Sequence, residues 1–207
     1  MSEQHPGWNN LLSMYCQQPE VRQVILVQHI ENSRAIVQLY VKTDEYPEFW
    51  TKLLTCDAYV GRNGLGKTME GDMKSPAGDF GVITAVGMKD NPGTKAEYLK
   101  LDEHIFCADG PYYNKLVDDR EIPREEILKY NGDHMNDTSP QFNYGLFLDY
   151  NKECIPGKGS YIFMHCDGPS PFTAGCVAVS EENMKFILQH VDNNVRICIF
   201  PMYQRGC

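Results

Sequence analysis

Apolar residues fall in short runs broken by polar, Gly- and Pro-rich stretches, a rhythm that predicts strands rather than long helices. Val21 to Gln28 and Ala35 to Lys42 are rich in β-branched residues, and Glu31-Asn32-Ser33 between them predicts a hairpin. Phe49 to Val60 predicts another strand, although Trp50 to Leu54 fits a helical turn equally well by periodicity. Residues 61–79 read as a long polar surface loop that runs into a strand from Phe80 to Val86. From Gly87 to Asn143 the texture is loop-rich, with turn signals at Asn91-Pro92-Gly93, Asp109-Gly110-Pro111 and Asn131-Gly132-Asp133. One short helix is predicted there, from Pro123 through Lys129, with acids early and the lysine late as the helix dipole prefers.

Tyr144 to Tyr150 and Tyr161 to His165 read as the next strands, with Pro156-Gly157-Lys158-Gly159 supplying the turn. Val177 to Val179 is a third apolar run and leads into the clearest helix signal of the chain. Ser180 suits an N-cap, Glu181 and Glu182 load the first turn, and Met184, Ile187, Leu188 and Val191 recur at helical spacing. Asp192-Asn193-Asn194 ends that helix, and Val195 to Phe200 reads as a closing strand. The expected fold class is mainly β, a β-sandwich or curved mixed sheets, with a helix after Cys176 and a few short helices. One domain is expected over residues 21–207, after a polar leader of residues 1–20, with no internal repeat.

Composition narrows the function classes. The 207 residues are 42% apolar, enough for a continuous core. The net charge is −9 and the basic residues are scattered, so no nucleic-acid footprint is present. No apolar run reaches the roughly 18 residues of a membrane span, and the opening Met-Ser-Glu-Gln-His-Pro-Gly-Trp lacks the basic and apolar regions of a secretory signal. Eight dispersed cysteines show no CxxC pair, and Cys198 sits in an apolar run where a thiol acts as a small hydrophobe. Composition leaves the oligomeric state open.

The chemistry concentrates between Tyr161 and Ser180. An apolar run delivers His165, a Gly/Pro turn follows, and Thr173-Ala174-Gly175-Cys176 returns the chain into a second apolar run. The pattern places an imidazole beside a thiol, and neutral imidazole is well suited to take a thiol proton near pH 7. Cys176 is the candidate nucleophile, expected to be a free thiol, and His165 its base. A zinc site of His165, Cys166 and Cys176 is the rival, weakened by awkward adjacent ligands and the lack of a fourth. Gly61 to Thr68 matches the letters of a phosphate-binding loop, but Gly71 and Pro76 oppose the helix that should follow. His104 and His134 lack partners at ligand spacing and are read as ordinary polar residues.

His165 followed by a turn and Thr-Ala-Gly-Cys resembles the signature of the L,D-transpeptidase (YkuD-type) catalytic domain, a family of peptidoglycan cross-linking enzymes. Gly64-Leu65-Gly66-Lys67, Glu70-Gly71-Asp72-Met73-Lys74-Ser75-Pro76-Ala77-Gly78-Asp79-Phe80, Tyr144-Gly145-Leu146 and Gly157-Lys158-Gly159-Ser160 are similar to that family's other blocks, in order. The resemblance implies the family's fold, Cys176 as acylated nucleophile, His165 as base oriented by the Cys166 carbonyl, and oxyanion donors at the Gly175 and Cys176 N–H groups. It implies peptidoglycan stem peptides as the partner, loss of D-alanine through a thioester, and no metal or cofactor. Resolution by an amine would make a transpeptidase and by water an L,D-carboxypeptidase; a wall-binding module that kept the fold is the non-enzymatic alternative. Thr173 is expected to fix the turn or touch substrate, and Tyr144 to wall the groove. Many family members carry arginine two residues after the cysteine, where this chain has Ala178, and Arg62 and Lys67 are candidate substitutes. The eleven-residue spacing from His165 to Cys176 is also shorter than in many relatives, implying a more open cleft. The implied substrate lies outside the cytoplasmic membrane, so an extracytoplasmic protein whose leader was removed is expected, with a cytoplasmic location as the alternative.

Overall fold

The computed structural model describes residues 12–16, 18–45, 49–137 and 140–201, and its strands form a ten-stranded mixed sheet and a three-stranded one. Strands β1 (Gln23–Glu31) and β2 (Arg34–Val41) make the expected hairpin, turning through Asn32, which takes a left-handed φ of 53°. Asparagine tolerates that region because its short polar side chain compensates locally. The ambiguous run is a strand, β3 (Thr51–Tyr59), paired antiparallel along β2. Cross-strand pairing decides what local periodicity could not.

The single strand expected from Phe80 to Val86 is two, β4 (Gly78–Phe80) and β5 (Val82–Gly87). Gly81 between them gives its N–H to Asp149 Oδ1 at 2.8 Å and so leaves the ladder. The remaining strands are β6 (Tyr98–Lys100), β7 (Ile105–Cys107), β8 (Leu116–Asp118), β9 (Asp133–His134), β10 (Gly145–Leu148), β11 (Phe163–Cys166), β12 (Val177–Val179) and β13 (Arg196–Pro201). The large sheet runs β4-β13-β1-β2-β3-β12-β11-β10-β5-β6. Since one residue joins β4 to β5, strands first and ninth in that order must lie close together. The sheet is therefore curled back on itself, the curved alternative of the two expected architectures.

Alternation sorts side chains onto two faces. Ile25, Val27, Val37, Leu39, Leu146, Leu148, Met164, Val177, Val179, Ile197 and Ile199 share one core with Met184, Ile187 and Leu188 of helix α2 (Glu181–Leu188). A shorter helix, α1 (Arg124–Leu128), carries Pro123 at its N-cap and buries Ile127. Ser180 caps α2 as expected, its Oγ accepting the Asn183 N–H at 3.3 Å, and Val191 beyond the helix end is buried in the same core. On the other face, Val86, Phe147 and Phe163 pack against Leu101, Ile105 and Met135. The three-stranded sheet, β8-β7-β9, lies in the stretch read as loops; strands of two or three residues are too short to show a period of two. Residues 1–11 of the expected leader lie outside the described residues, while Leu12 and Tyr15 within it are buried with Val24, Leu26, Tyr40 and Cys198. Among the described residues no helix is long and apolar enough to cross a membrane.

Candidate active site

β11 and β12 are parallel neighbours, with Met164 opposite Val177, His165 opposite Ala178 and Cys166 opposite Val179. Met164, Cys166, Val177 and Val179 point into the central core. His165 and Phe163 therefore share the opposite face with Ala178 and, one step before the ladder, Cys176. This register makes His165 and Cys176 diagonal neighbours on one face, with backbones about 7–8 Å apart, and in the resting protein the thiol bonds Phe163 and Tyr161 rather than His165. The shared face follows from the parallel pairing of β11 with β12.

Cys176 is a half-buried free thiol. Its Sγ lies 3.4 Å from the Phe163 N–H, which donates to it, and 3.4 Å from the Tyr161 carbonyl, to which it donates. Burial pushes the thiol up to about 11, partly offset by the Phe163 N–H and the nearby Lys67 charge. His165 is buried, and its Nδ1 is 2.7 Å from the Cys166 carbonyl, so Nδ1 holds the proton and Nε2 is left with a free lone pair. Burial holds the imidazole below its ordinary value of 6.5, against the Cys166 carbonyl and Asp167, which favour the cation. At neutral pH the pair is imidazole and thiol rather than an ion pair. Phe142 packs on both His165, at 5.2 Å between ring centroids, and Phe163, at 5.0 Å, and fixes the ring plane.

The turn before Cys176 is pinned from several sides. Thr173 Oγ1 donates to the Cys176 carbonyl at 2.6 Å and accepts the Gly175 N–H at 3.1 Å. The buried Ser75 hydroxyl donates to the same carbonyl at 3.1 Å and accepts the Gly61 N–H at 2.8 Å. Gly175 has φ +155°, and a β-carbon there would stand 2.9 Å from the Lys74 carbonyl and 3.4 Å from Lys67 Nζ. Only glycine fits this approach without displacing backbone. Of the proposed oxyanion donors, the Gly175 N–H is thus engaged by Thr173 in the resting protein.

Lys67 and Arg62 differ sharply. Lys67 is buried and its Nζ bonds Asp72 Oδ1 at 2.9 Å. Asp72 also accepts N–H groups from Thr68, Met69 and Lys74. Burial alone would raise the Asp72 carboxyl, but Lys67 and those N–H groups outweigh it and hold it far below the carboxylate range. The glycine-rich loop closes on its own carboxylate, and no helix follows it. Arg62 is exposed, its guanidinium 4.7 Å from the Phe172 ring centroid. Tyr144 is buried in the central core with Leu146 and Leu148, across the sheet from Cys176, so core packing rather than a groove wall describes its place. Cys166 Sγ turns to the Tyr144 carbonyl at 3.5 Å, so His165, Cys166 and Cys176 do not converge.

No protein-family model matches the chain, and no curated protein matches it. The site therefore stands on its own geometry. Four residues of it had no role assigned from sequence: Ser75, Asp72, Phe142 and Tyr161. Ser75 and Asp72 lie in the Glu70-Gly71-Asp72 to Phe80 block, where a carboxylate and a hydroxyl amid glycines were a readable signal for loop-internal bonding. Tyr161 takes a left-handed φ of 52°, which excludes it from the strand expected to start there and turns its carbonyl toward Cys176. Its phenol oxygen accepts the Ala108 N–H at 2.9 Å and has the Ala108, Tyr112 and Lys115 carbonyls within reach of its single proton, holding that conformation. His104 bonds Asp119 at 2.7 Å, an ordinary polar contact.

Proposed function

We propose that this chain is a cysteine acyltransferase of the L,D-transpeptidase kind, with that family's catalytic-domain fold, acting on peptidoglycan stem peptides outside the cytoplasmic membrane. The observation that carries the reading is a buried, neutral His165, fixed through Nδ1 to the Cys166 carbonyl, on the same sheet face as the half-buried Cys176 thiol. A base oriented by a third group beside a thiol is the arrangement nucleophilic catalysis requires.

In this reading His165 Nε2 takes the thiol proton as Cys176 Sγ attacks the carbonyl carbon of the third stem residue. The negative oxygen is held by the Cys176 N–H, joined by the Gly175 N–H once it releases Thr173. The C–N bond then breaks, D-alanine leaves with the proton from His165, and a C–S thioester remains. An incoming amine gives up its proton to His165 and displaces the sulfur, which regains a proton. Thr173 and Ser75 act through the backbone, holding the Cys176 carbonyl so that the nucleophile stays aligned.

The test is intact-mass spectrometry after incubation with a disaccharide-tetrapeptide or a carbapenem. An adduct on Cys176, absent in Cys176→Ala and strongly reduced in His165→Ala, supports the reading; no adduct with any donor refutes it. Supplying an acceptor amine separates cross-linked product from hydrolysed tripeptide, and hence transferase from carboxypeptidase.

A further inference from the structure

Resting on that reading, we infer that Arg62 binds a carboxylate of the donor stem peptide and so selects the substrate. The loop of residues 61–80 carries three cations, Arg62, Lys67 and Lys74, and the first two differ in whether they are free to meet a ligand. Lys67 is spent on Asp72, its side chain 3% exposed. Arg62 forms no ion pair or hydrogen bond through its guanidinium among the described residues, in a chain of net charge −9 where most other arginines face a carboxylate.

The backbone beneath Arg62 belongs to the site. Its N–H donates to the Thr173 carbonyl at 3.0 Å, and the Thr173 N–H donates to the Val60 carbonyl at 3.0 Å. The neighbouring Gly61 N–H bonds Ser75 Oγ, which in turn holds the Cys176 carbonyl. The guanidinium and the nucleophile thus rise from one hydrogen-bonded frame. Stacking on Phe172 restricts the side chain before any ligand arrives, so less entropy is lost when its planar fork meets a carboxylate. Ala178, beside His165, offers no cation of its own.

A stem tetrapeptide presents this chemistry in two places: the terminal carboxylate of the leaving residue, and the side-chain carboxylate of a diamino diacid at the third position. The experiment measures acylation of Cys176 by mass spectrometry in wild type, R62M and R62K. The donors are the free-acid tetrapeptide, its C-terminal amide, and the same peptide with lysine at the third position. Wild type is expected to lose about 10- to 100-fold in kcat/KM, mainly through KM, on the donor that lacks the recognised carboxylate. R62M should handle that donor and the free acid equally slowly, with R62K between. Discrimination against the amide assigns the terminal carboxylate, and against the lysine peptide the side-chain one. Equal rates in wild type for all donors, or full discrimination kept in R62M, overturns the inference while leaving the acyltransferase reading intact. Failure of wild type to react with any donor overturns both.

Discussion

Replacing His165 by alanine tests how the thiol is activated. With Cys176 pushed up to about 11, only on the order of one molecule in 10⁴ carries a thiolate at pH 7 without help. An ordinary cysteine, at about 8.5, has roughly 300 times more. The site therefore depends on proton removal during attack, and His165 is neutral for that purpose above its lowered value. Acylation by the wild type should rise with pH as His165 loses its proton, half-maximal below 6.5, and then stay level to about pH 9. His165→Ala should be slower by about 10²- to 10⁴-fold at pH 7 and lack the plateau, climbing tenfold per pH unit toward 11. The assay is single-turnover acylation followed by intact mass from pH 5 to 10, with thiolate absorbance measured alongside. A plateau retained in His165→Ala, or a full thiolate signal in the wild type at pH 6–7, would refute the reasoning.

Further outcomes concern the frame around the site. Lys67→Met strands the Asp72 charge and should cost about 3–5 kcal/mol, lowering Tm by roughly 6–20 °C, with part recovered in Lys67→Met/Asp72→Asn; thermal denaturation reads both. Because the folded Asp72 carboxyl is held low, its stabilisation is complete above the unfolded value near 4 and lost as pH falls through the folded value. Urea titrations at pH 5 and pH 3 should show a smaller drop for Asp72→Asn than for wild type. Gly175→Ala should abolish acylation while circular dichroism stays native, since its β-carbon meets the Lys74 carbonyl 2.9 Å away. Ser180→Ala removes the cap of α2 and should cost about 1 kcal/mol, with no change in the pH profile of acylation.

Many of the strands along the chain, though not their order in the sheet, were legible in the sequence. The β1–β2 hairpin, β12 and α2 were readable because each couples a local apolar pattern to a local turn or cap, as Asn32 and Ser180 show. That His165 and Cys176 share one face was readable because parallel strands joined by a turn set nearby positions in register. What escaped was non-local. The break at Gly81 depends on Asp149, 68 residues later, and the left-handed Tyr161 depends on backbone groups between Ala108 and Lys115. Tyr144 was misplaced because its face of the sheet is set by β10 pairing with β5 and β11, not by its neighbours in sequence.

The curl of the large sheet bears on how this chain is made. β13 lies between β1 and β4, parallel to the first strand, with Val24 facing Arg196 across about 170 residues of chain. During synthesis β1 can pair with β2 as soon as that strand follows it, while its other side stays bare until β13 is made, an invitation to wrong partners. A ribosome-bound fragment ending before residue 196 should remain open to protease, and protection should arrive only when the last strand slides into its slot.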